Sequence, residues 1–293
     1  MFWTVALPQL RDMRKVLVPT DFSDASQVAL QYAIGLANQA HAQIELFSAF
    51  HLPPPPAEVA IVPASGAYDE LRADTEAALK GLASEIADHC IHDPIIRAVK
   101  GLGSDEILRV MAEDAPWLTV MGTKGATGLE RLVFGSVASE VAKNASAPLL
   151  LIPEDARFQP LGPVLFATDF HDSDVEAVRH LEAWSLETED LAITFLHISD
   201  GRVPEQFEQA HLEQFQTTMR QEERLPDMRF ELKAHPDAGE AILHASDSGD
   251  YDLIVLAPVR RNWLMRLLLP SVTQHLIHAA TRPTLIYPAT DND

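Results

Sequence analysis

Lys15-Val16-Leu17-Val18-Pro19-Thr20-Asp21-Phe22-Ser23 is a short apolar run ending in Thr-Asp-Phe, and Val164-Leu165-Phe166-Ala167-Thr168-Asp169-Phe170-His171 repeats it. A helix-like segment follows each, Ser26 to Gln39 and Ser173 to Glu187, then a further apolar run, Ile44 to Phe47 and Ile193 to Leu196. The match continues in Ser104–Met111 with Gly239–Ser246, Leu118–Met121 with Leu253–Leu256, and Pro148–Pro153 with Pro283–Pro288. Internal repetition over such lengths means two copies of one folding unit.

Each copy reads strand, helix, strand, helix, strand, helix, strand, helix, strand. Strands are expected near 15–20, 43–49, 95–100, 117–121 and 148–152, and again near 163–168, 191–197, 228–234, 252–256 and 283–287. Helices of the first copy are expected near 24–39, 68–89, 104–114 and 136–145. Nearly continuous apolar strands alternating with helices predict an α/β fold, a parallel sheet covered on both faces. The stretch from Pro153 to Pro163 has little periodicity, so the boundary is drawn there, giving domains 1–155 and 156–293 joined by a short linker. Pro53-Pro54-Pro55-Pro56 can form neither helix nor central strand and reads as an exposed loop.

The bulk composition narrows the function. The 293 residues carry 43 acidic and 22 basic side chains, a net charge of -21. A field of that sign repels nucleic acid and anionic lipid. It still permits a small anion held by local amides and one or two cations. One cysteine, Cys90, excludes an intramolecular disulfide, and neither a signal peptide nor a membrane-length apolar run is visible, so a cytoplasmic location is expected. His89-Cys90-Ile91-His92 lacks the paired spacing of a structural zinc site.

The densest chemical signal is the stretch from Met121 to Val137, which leaves a predicted strand and enters a predicted helix. It contains Gly122, Thr123, Lys124, Gly125, Gly128, Arg131, Gly135 and Ser136. Glycines let a backbone approach a ligand closely. A helix start offers unpaired N–H groups and the positive end of the helix dipole, both suited to phosphate. The Ser136 hydroxyl could cap that helix or bond a phosphate. Lys124 and Arg131 are candidate cations, with solvent-facing side chains as the alternative. Asp21 is either a ligand or simply the cap of the helix behind it, and the glycine loop is either functional or a relic.

The spacing Gly-x2-Gly-x9-Gly-Ser, the opening Val18-Pro19-Thr20-Asp21-Phe22-Ser23 and the ending Ala147-Pro148-Leu149-Leu150-Leu151-Ile152-Pro153 together resemble the universal stress protein family. The resemblance covers nearly the whole chain as two copies, as in tandem members of that family. It implies two tandem doubly wound, Rossmann-like domains of strand order 3-2-1-4-5, with the ligand crevice at the carboxyl ends of strands 1 and 4. It further implies that Asp21 binds the adenosine part of ATP and that Pro19 and Thr20 shape its slot. The same resemblance gives Gly122, Gly125, Gly135 and Ser136, helped by the Val137 N–H, the phosphates. The triphosphate charge is compatible with an accompanying Mg²⁺. Fifth strands commonly pair edge to edge in the family, so strands 148–152 and 283–287 are expected to pair within this chain, which would protect two edges. Association of two whole chains is left open.

The second copy departs from the pattern. Ala257, Arg260 and Pro270 stand where the first copy has Gly122, Gly125 and Gly135; Ser271 and Asp169 remain. Pro258 and Pro270 have no N–H to donate. The second copy is therefore expected not to bind ATP in the family manner. Arg260, Arg261 and Arg266 read as a solvated basic patch or a different anion site, Trp263 and Leu267–Leu269 as a buried or partner-facing loop, and His275 and His278 as a surface or interface pair. His51 and His197 both end second strands, a generic position of the repeat. No general base and no Walker-type Gly-Lys-Ser is present. The expectation is thus a regulatory ATP-binding protein and not an enzyme. The alternatives are a weak ATPase, a nucleotide-free scaffold, or a binder of another small molecule.

Overall fold

A computed structural model describes residues 13–52, 66–123, 135–170, 172–182, 184, 191–221, 227–257 and 281–288. Lys124, Gly125, Gly128, Arg131, the four-proline loop, Arg260, Arg261, Trp263, Arg266–Ser271, His275 and His278 lie outside the described residues.

The first half runs β1 (Lys15–Pro19), α1 (Asp24–Gln39), β2 (Gln43–Phe50), α2 (Ala67–Ile86), β3 (Ile95–Lys100), α3 (Gly103–Asp114), β4 (Leu118–Gly122), α4 (Ser136–Asn144) and β5 (Leu149–Ile152). The second runs β6 (Pro163–Ala167), α5 (Asp172–Glu182), β7 (Ala192–Ser199), α6 (Glu205–Arg220), β8 (Asp227–Ala234), α7 (Ala238–Ser248), β9 (Leu253–Leu256) and β10 (Thr284–Ile286). The strands form a single sheet of order β3-β2-β1-β4-β5-β10-β9-β6-β7-β8. Each half therefore has the order 3-2-1-4-5. All pairings within a half are parallel.

The halves join where β5 and β10 meet antiparallel, with Leu149 opposite Ile286, Leu150 opposite Leu285 and Leu151 opposite Thr284. Pairing these two strands removes both inner edges, which would otherwise expose unpaired backbone groups. One apolar core runs through both halves, from Val16 and Leu46 across Leu150 and Leu285 to Phe166 and Phe195.

In the first half the central strands β1 and β4 are buried on both faces because α1 covers one face and α3 and α4 the other. Alternate residues accordingly fall into different clusters: Val16 and Val18 pack with α1, while Leu17 packs with Ile107 of α3 and Val141 of α4. Helix α1 carries Ala25, Ala29, Ala33 and Ala37 at four-residue spacing, all buried. This small-residue ridge lets the helix lie close to the sheet. The matching places in α5 include Ala177 and the larger Leu181, both fully buried.

The linker is not a free tether. Phe158 packs edge-on against Tyr32 of α1, ring centroids 5.4 Å apart, and a Cβ on Gly35 would overlap its ring. Asp252 accepts hydrogen bonds from the Gly162 N–H (3.1 Å) and the Gln159 side-chain amide. A second contact crosses the junction at Trp117, on which His180 of α5 stacks at 5.1 Å, with Trp184 and Tyr287 completing the group. Arg14 lies over the Trp117 ring, 5.2 Å from its centroid.

Candidate functional site

The carboxyl ends of β1 and β4 face one crevice, as the doubly wound order requires. At the end of β1 the chain turns sharply at Phe22, which has φ 63. That left-handed conformation is uncommon for a bulky residue. It is held by the Phe22 N–H donating to Thr20 Oγ1 (3.0 Å) and by the Thr20 N–H donating to the Phe47 carbonyl of β2 (2.8 Å). Thr20 Oγ1 also lies 3.0 Å from Ser26 Oγ, so a pair of hydroxyls forms the buried floor.

Asp21 does not cap α1. The cap is Ser23, whose Oγ accepts from the Ser26 N–H (3.3 Å). Asp21 instead accepts from the Ser23 N–H (3.1 Å) and the Ser23 hydroxyl (2.5 Å), one step earlier in the chain. Of the two readings of Asp21, ligand or helix cap, the cap is therefore set aside, because the turn at Phe22 carries the chain past Asp21 before the helix begins.

Two other expectations change at the glycine loop. A Cβ on Gly122 would lie 2.8 Å from the Ala25 carbonyl oxygen, so this glycine is required by the close approach of α1, whatever its part in a ligand site. Ser136 is not the cap of α4 either. Gly135 holds that place, without a side-chain cap, and Ser136 is the first helical residue. The Gly135 N–H donates to the Thr123 carbonyl (2.9 Å), while the Thr123 N–H donates to the Ile152 carbonyl (3.1 Å). Thr123 and Gly135 thus clasp the ends of the segment 124–134. The first intrahelical bond is from the Ser139 N–H to the Gly135 carbonyl (3.0 Å). The N–H groups of Ser136, Val137 and Ala138 precede it, and are the donors a helix start leaves for an anion.

These parts enclose a cavity of about 230 Å³. Of the expected residues, Pro19, Thr20, Asp21, Gly122, Gly135, Ser136 and Val137 line it. Thr123 is described but does not line it, and Lys124, Gly125 and Arg131 lie outside the described residues. Sequence reasoning missed the walls. Phe47 and Ala49 come from β2, Gly103 and Ile107 from α3, and Met121 from β4. Their signal was present in the apolar runs of β2 and β4, but nothing in such a run distinguishes a residue facing a ligand from one facing core.

The electrostatics of the crevice are local. Helices α1, α2, α3, α6 and α7 each carry an acid in their first turn, which complements the helix dipole. Helix α4 carries none, and its last turn has Lys143. Its positive end therefore faces the cavity without a protein carboxylate of its own to offset it.

The second half repeats the corner. Phe170 has φ 64, its N–H donates to Thr168 Oγ1 (2.8 Å), and the Thr168 N–H donates to the Leu196 carbonyl (3.1 Å). His197 Nδ1 lies 2.8 Å from the Thr168 carbonyl and 3.5 Å from Asp169 Oδ1. The sequence reading of His51 and His197 as one repeated position is corrected by register. Pro19 pairs with Phe47 and Ala167 with Leu196, so His197 occupies the place of Ser48, inside β7, while His51 lies beyond the end of β2. Among the described residues, no three His, Cys, Asp or Glu side chains converge as metal ligands, and no helix is long and apolar enough to cross a membrane.

A model of the universal stress protein family matches residues 13–153 and again 161–288. The chain is 32% identical over 146 residues to universal stress protein MJ0531 of Methanocaldococcus jannaschii, an alignment covering 47% of this chain and 81% of that one. Among solved structures it is similar to a universal stress protein from Archaeoglobus fulgidus DSM 4304, with TM-score 0.73, 20% identity, and 94% and 98% of the two chains covered. It is also similar to protein PA1789 from Pseudomonas aeruginosa PAO1, whose function is unknown, with TM-score 0.60, 15% identity, and 96% and 94% covered. At these identities the structural likenesses speak for the fold alone.

Proposed function

The chain belongs to the universal stress protein family as a tandem two-domain member, and we propose that its first crevice binds one adenine nucleotide, ATP, as a regulatory ligand, while the second crevice binds none. The observation that carries this reading is the convergence of the Thr20–Asp21 corner and the open start of α4 on a single cavity. A wall of Pro19, Phe47, Ile107 and Met121 suits a planar base, and the Asp21 carboxylate suits a ribose hydroxyl or an amino group. The cavity, at about 230 Å³, is just below the roughly 300–1,000 Å³ of typical small-molecule sites. It therefore takes the nucleoside, and the phosphates extend over the N–H groups of Ser136, Val137 and Ala138.

The reading is of a binding protein and not an enzyme. Among the described residues, the cavity's side chains supply one carboxylate, Asp21, which accepts from Ser23. Nucleotide occupancy would act by ordering the α4 side of the crevice, and the stress-response role is the one that family membership suggests.

The test is to denature the purified full chain and identify what is released, then to titrate the emptied protein with ATP, with and without Mg²⁺, by calorimetry. One nucleotide per chain is expected. Asp21→Ala should weaken binding by roughly 1–3 kcal/mol, the value of hydrogen bonds to a charged group, and Asp169→Ala should leave it unchanged. Neither heat nor a thermal shift at saturating ATP would overturn the proposal in favour of a nucleotide-free scaffold. Release of a different small molecule would overturn it in favour of another ligand.

A further inference from the structure

Among the described residues lining the first cavity, the buried polar side chains are two hydroxyls, Thr20 and Ser26, while Asp21 and Ser136 stand at the exposed rim. The remaining depth is apolar, with Phe47, Ile107 and Met121 buried around it. What this floor offers a ligand depends on where its two protons go, and the acceptors within reach decide that. Ser26 Oγ lies 2.8 Å from the Ser23 carbonyl oxygen, which can only accept, so the Ser26 proton goes there. Thr20 Oγ1 accepts from the Phe22 N–H, and its own proton reaches Ser26 Oγ at 3.0 Å. The reverse assignment, Ser26 donating to Thr20, would leave the Thr20 proton in an apolar hollow with no acceptor among the described residues. The protons therefore run one way, from Thr20 to Ser26 to the Ser23 carbonyl.

The second half shows the same direction. Thr168 Oγ1 accepts from the Phe170 N–H and donates to the carboxylate of Asp174, a buried residue six positions on that occupies the place of Ser26. In the first half, Ser26 Oγ has given its proton away and accepts one from Thr20, so the floor presents its remaining lone pair to the cavity. A ligand group seated against it must donate. An amino group does so. A carbonyl oxygen in the same place sets two acceptors face to face, and neither finds a proton in a buried, largely apolar site.

We propose that Ser26 is a specificity-determining residue, through which the first crevice selects a 6-amino purine over a 6-oxo purine. The base is seated on the Thr20–Ser26 floor and the ribose lies beside Asp21 at the rim. The inference rests on the reading that this crevice binds ATP.

The experiment compares ATP with inosine triphosphate, which carries the oxo group in place of the amine. Both affinities are measured by calorimetry on the full chain for wild type, Ser26→Ala and Ser26→Cys. Alanine suits a helix whose neighbouring Ala25 and Ala29 are buried, and it frees the Thr20 proton to turn into the cavity. Cysteine keeps the shape and substitutes a weak acceptor. Wild type is expected to bind ATP about tenfold or more tightly than inosine triphosphate. Ser26→Ala should weaken ATP and strengthen inosine triphosphate, bringing the ratio to about one or below it, and Ser26→Cys should also narrow the ratio. Equal affinities in wild type, or tighter binding of inosine triphosphate, would overturn the inference while leaving the ATP reading intact. An equal loss of both nucleotides in the variants would also overturn it, because Ser26 would then act only on the shape of α1. Failure of wild type to bind either nucleotide removes the ATP reading itself, and the wild-type titration separates that case from the others.

Discussion

The two halves differ most where their backbones agree. Tyr32 of α1 and His180 of α5 occupy matching places, as do Trp117 and Asp252, each just before the fourth strand of its half. The pseudo-twofold junction thus brings Tyr32 towards Asp252 on one side and His180 onto Trp117 on the other. Burial, with Asp252 adding to it, pushes the Tyr32 phenol pKa up. Burial, with Arg14 adding to it, pushes the His180 imidazole down to about 4. The crevices show the same contrast, with Ser26 against Asp174 and Gly122 against Ala257. Strand order and turn geometry are set by many cooperating residues and survive duplication, while the chemistry of each place rests on one side chain and drifts freely.

Breaking the junction on its histidine side should give the largest effect. The folded-state pKa of His180 lies below the ordinary 6.5, so the unfolded chain binds more protons between the two values. Stability is fully present above about pH 6.5 and is lost as pH falls towards about 4, by on the order of 3 kcal/mol. Thermal midpoints measured across this range should fall, and His180→Phe, which keeps a ring on Trp117, should flatten that part of the profile. The Tyr32 side contributes nothing in this window, so Tyr32→Phe should leave the slope unchanged.

Glu45 sharpens a difference between the two ends of the sheet. It is buried in β2 and paired with Arg97 of β3 (2.5 Å) and Lys15 of β1 (3.7 Å), and Arg97 continues to Asp114 (2.6 Å). By register Thr194 of β7 holds the matching place. Glu45→Ala should cost about 2 kcal/mol, below the full price of breaking a buried pair because Arg97 keeps Asp114 and Lys15 keeps water. Thr194→Ala should cost less, with both read from urea midpoints.

At the crevices, Gly122→Ala should destabilise by about 1–2 kcal/mol through contact with the Ala25 carbonyl, whether or not nucleotide is present. It is therefore a poor probe of binding, and unfolding curves without ligand will show this directly. Removal of the α1 cap by Ser23→Ala should cost about 1 kcal/mol. Because Ser23 also donates to Asp21, that variant should weaken ATP binding in calorimetry, whereas a purely structural cap would leave affinity intact.

The order of elements along the chain was legible because the apolar runs of both copies fall in the same sequence around Thr-Asp-Phe, and repetition tells signal from coincidence; the order of strands in the sheet was implied only by the family resemblance. Helices α1, α3 and α4 lie within a residue of their expected ends. The candidate site was legible in part. Asp21, Gly122, Gly135, Ser136 and Val137 do meet, since strand order forces the ends of β1 and β4 together. What each of them does was not legible. Cap assignment at Asp21 and Ser23 depends on where the chain turns, the need for glycine at 122 depends on a helix nearly a hundred positions earlier, and Ser26 looked like an ordinary helix residue.

By itself the sequence determined two copies of an α/β unit of alternating strands and helices, one with glycines at 122, 125 and 135 and one with Ala257, Arg260 and Pro270 in their places, because periodicity and glycine placement are properties of short segments. Tertiary structure alone decided that Asp174 stands in for Ser26, that His180 is buried on Trp117, and that the linker is locked over α1. These facts arise from contacts between residues distant along the chain, and a linear pattern holds no record of which face of one element meets another.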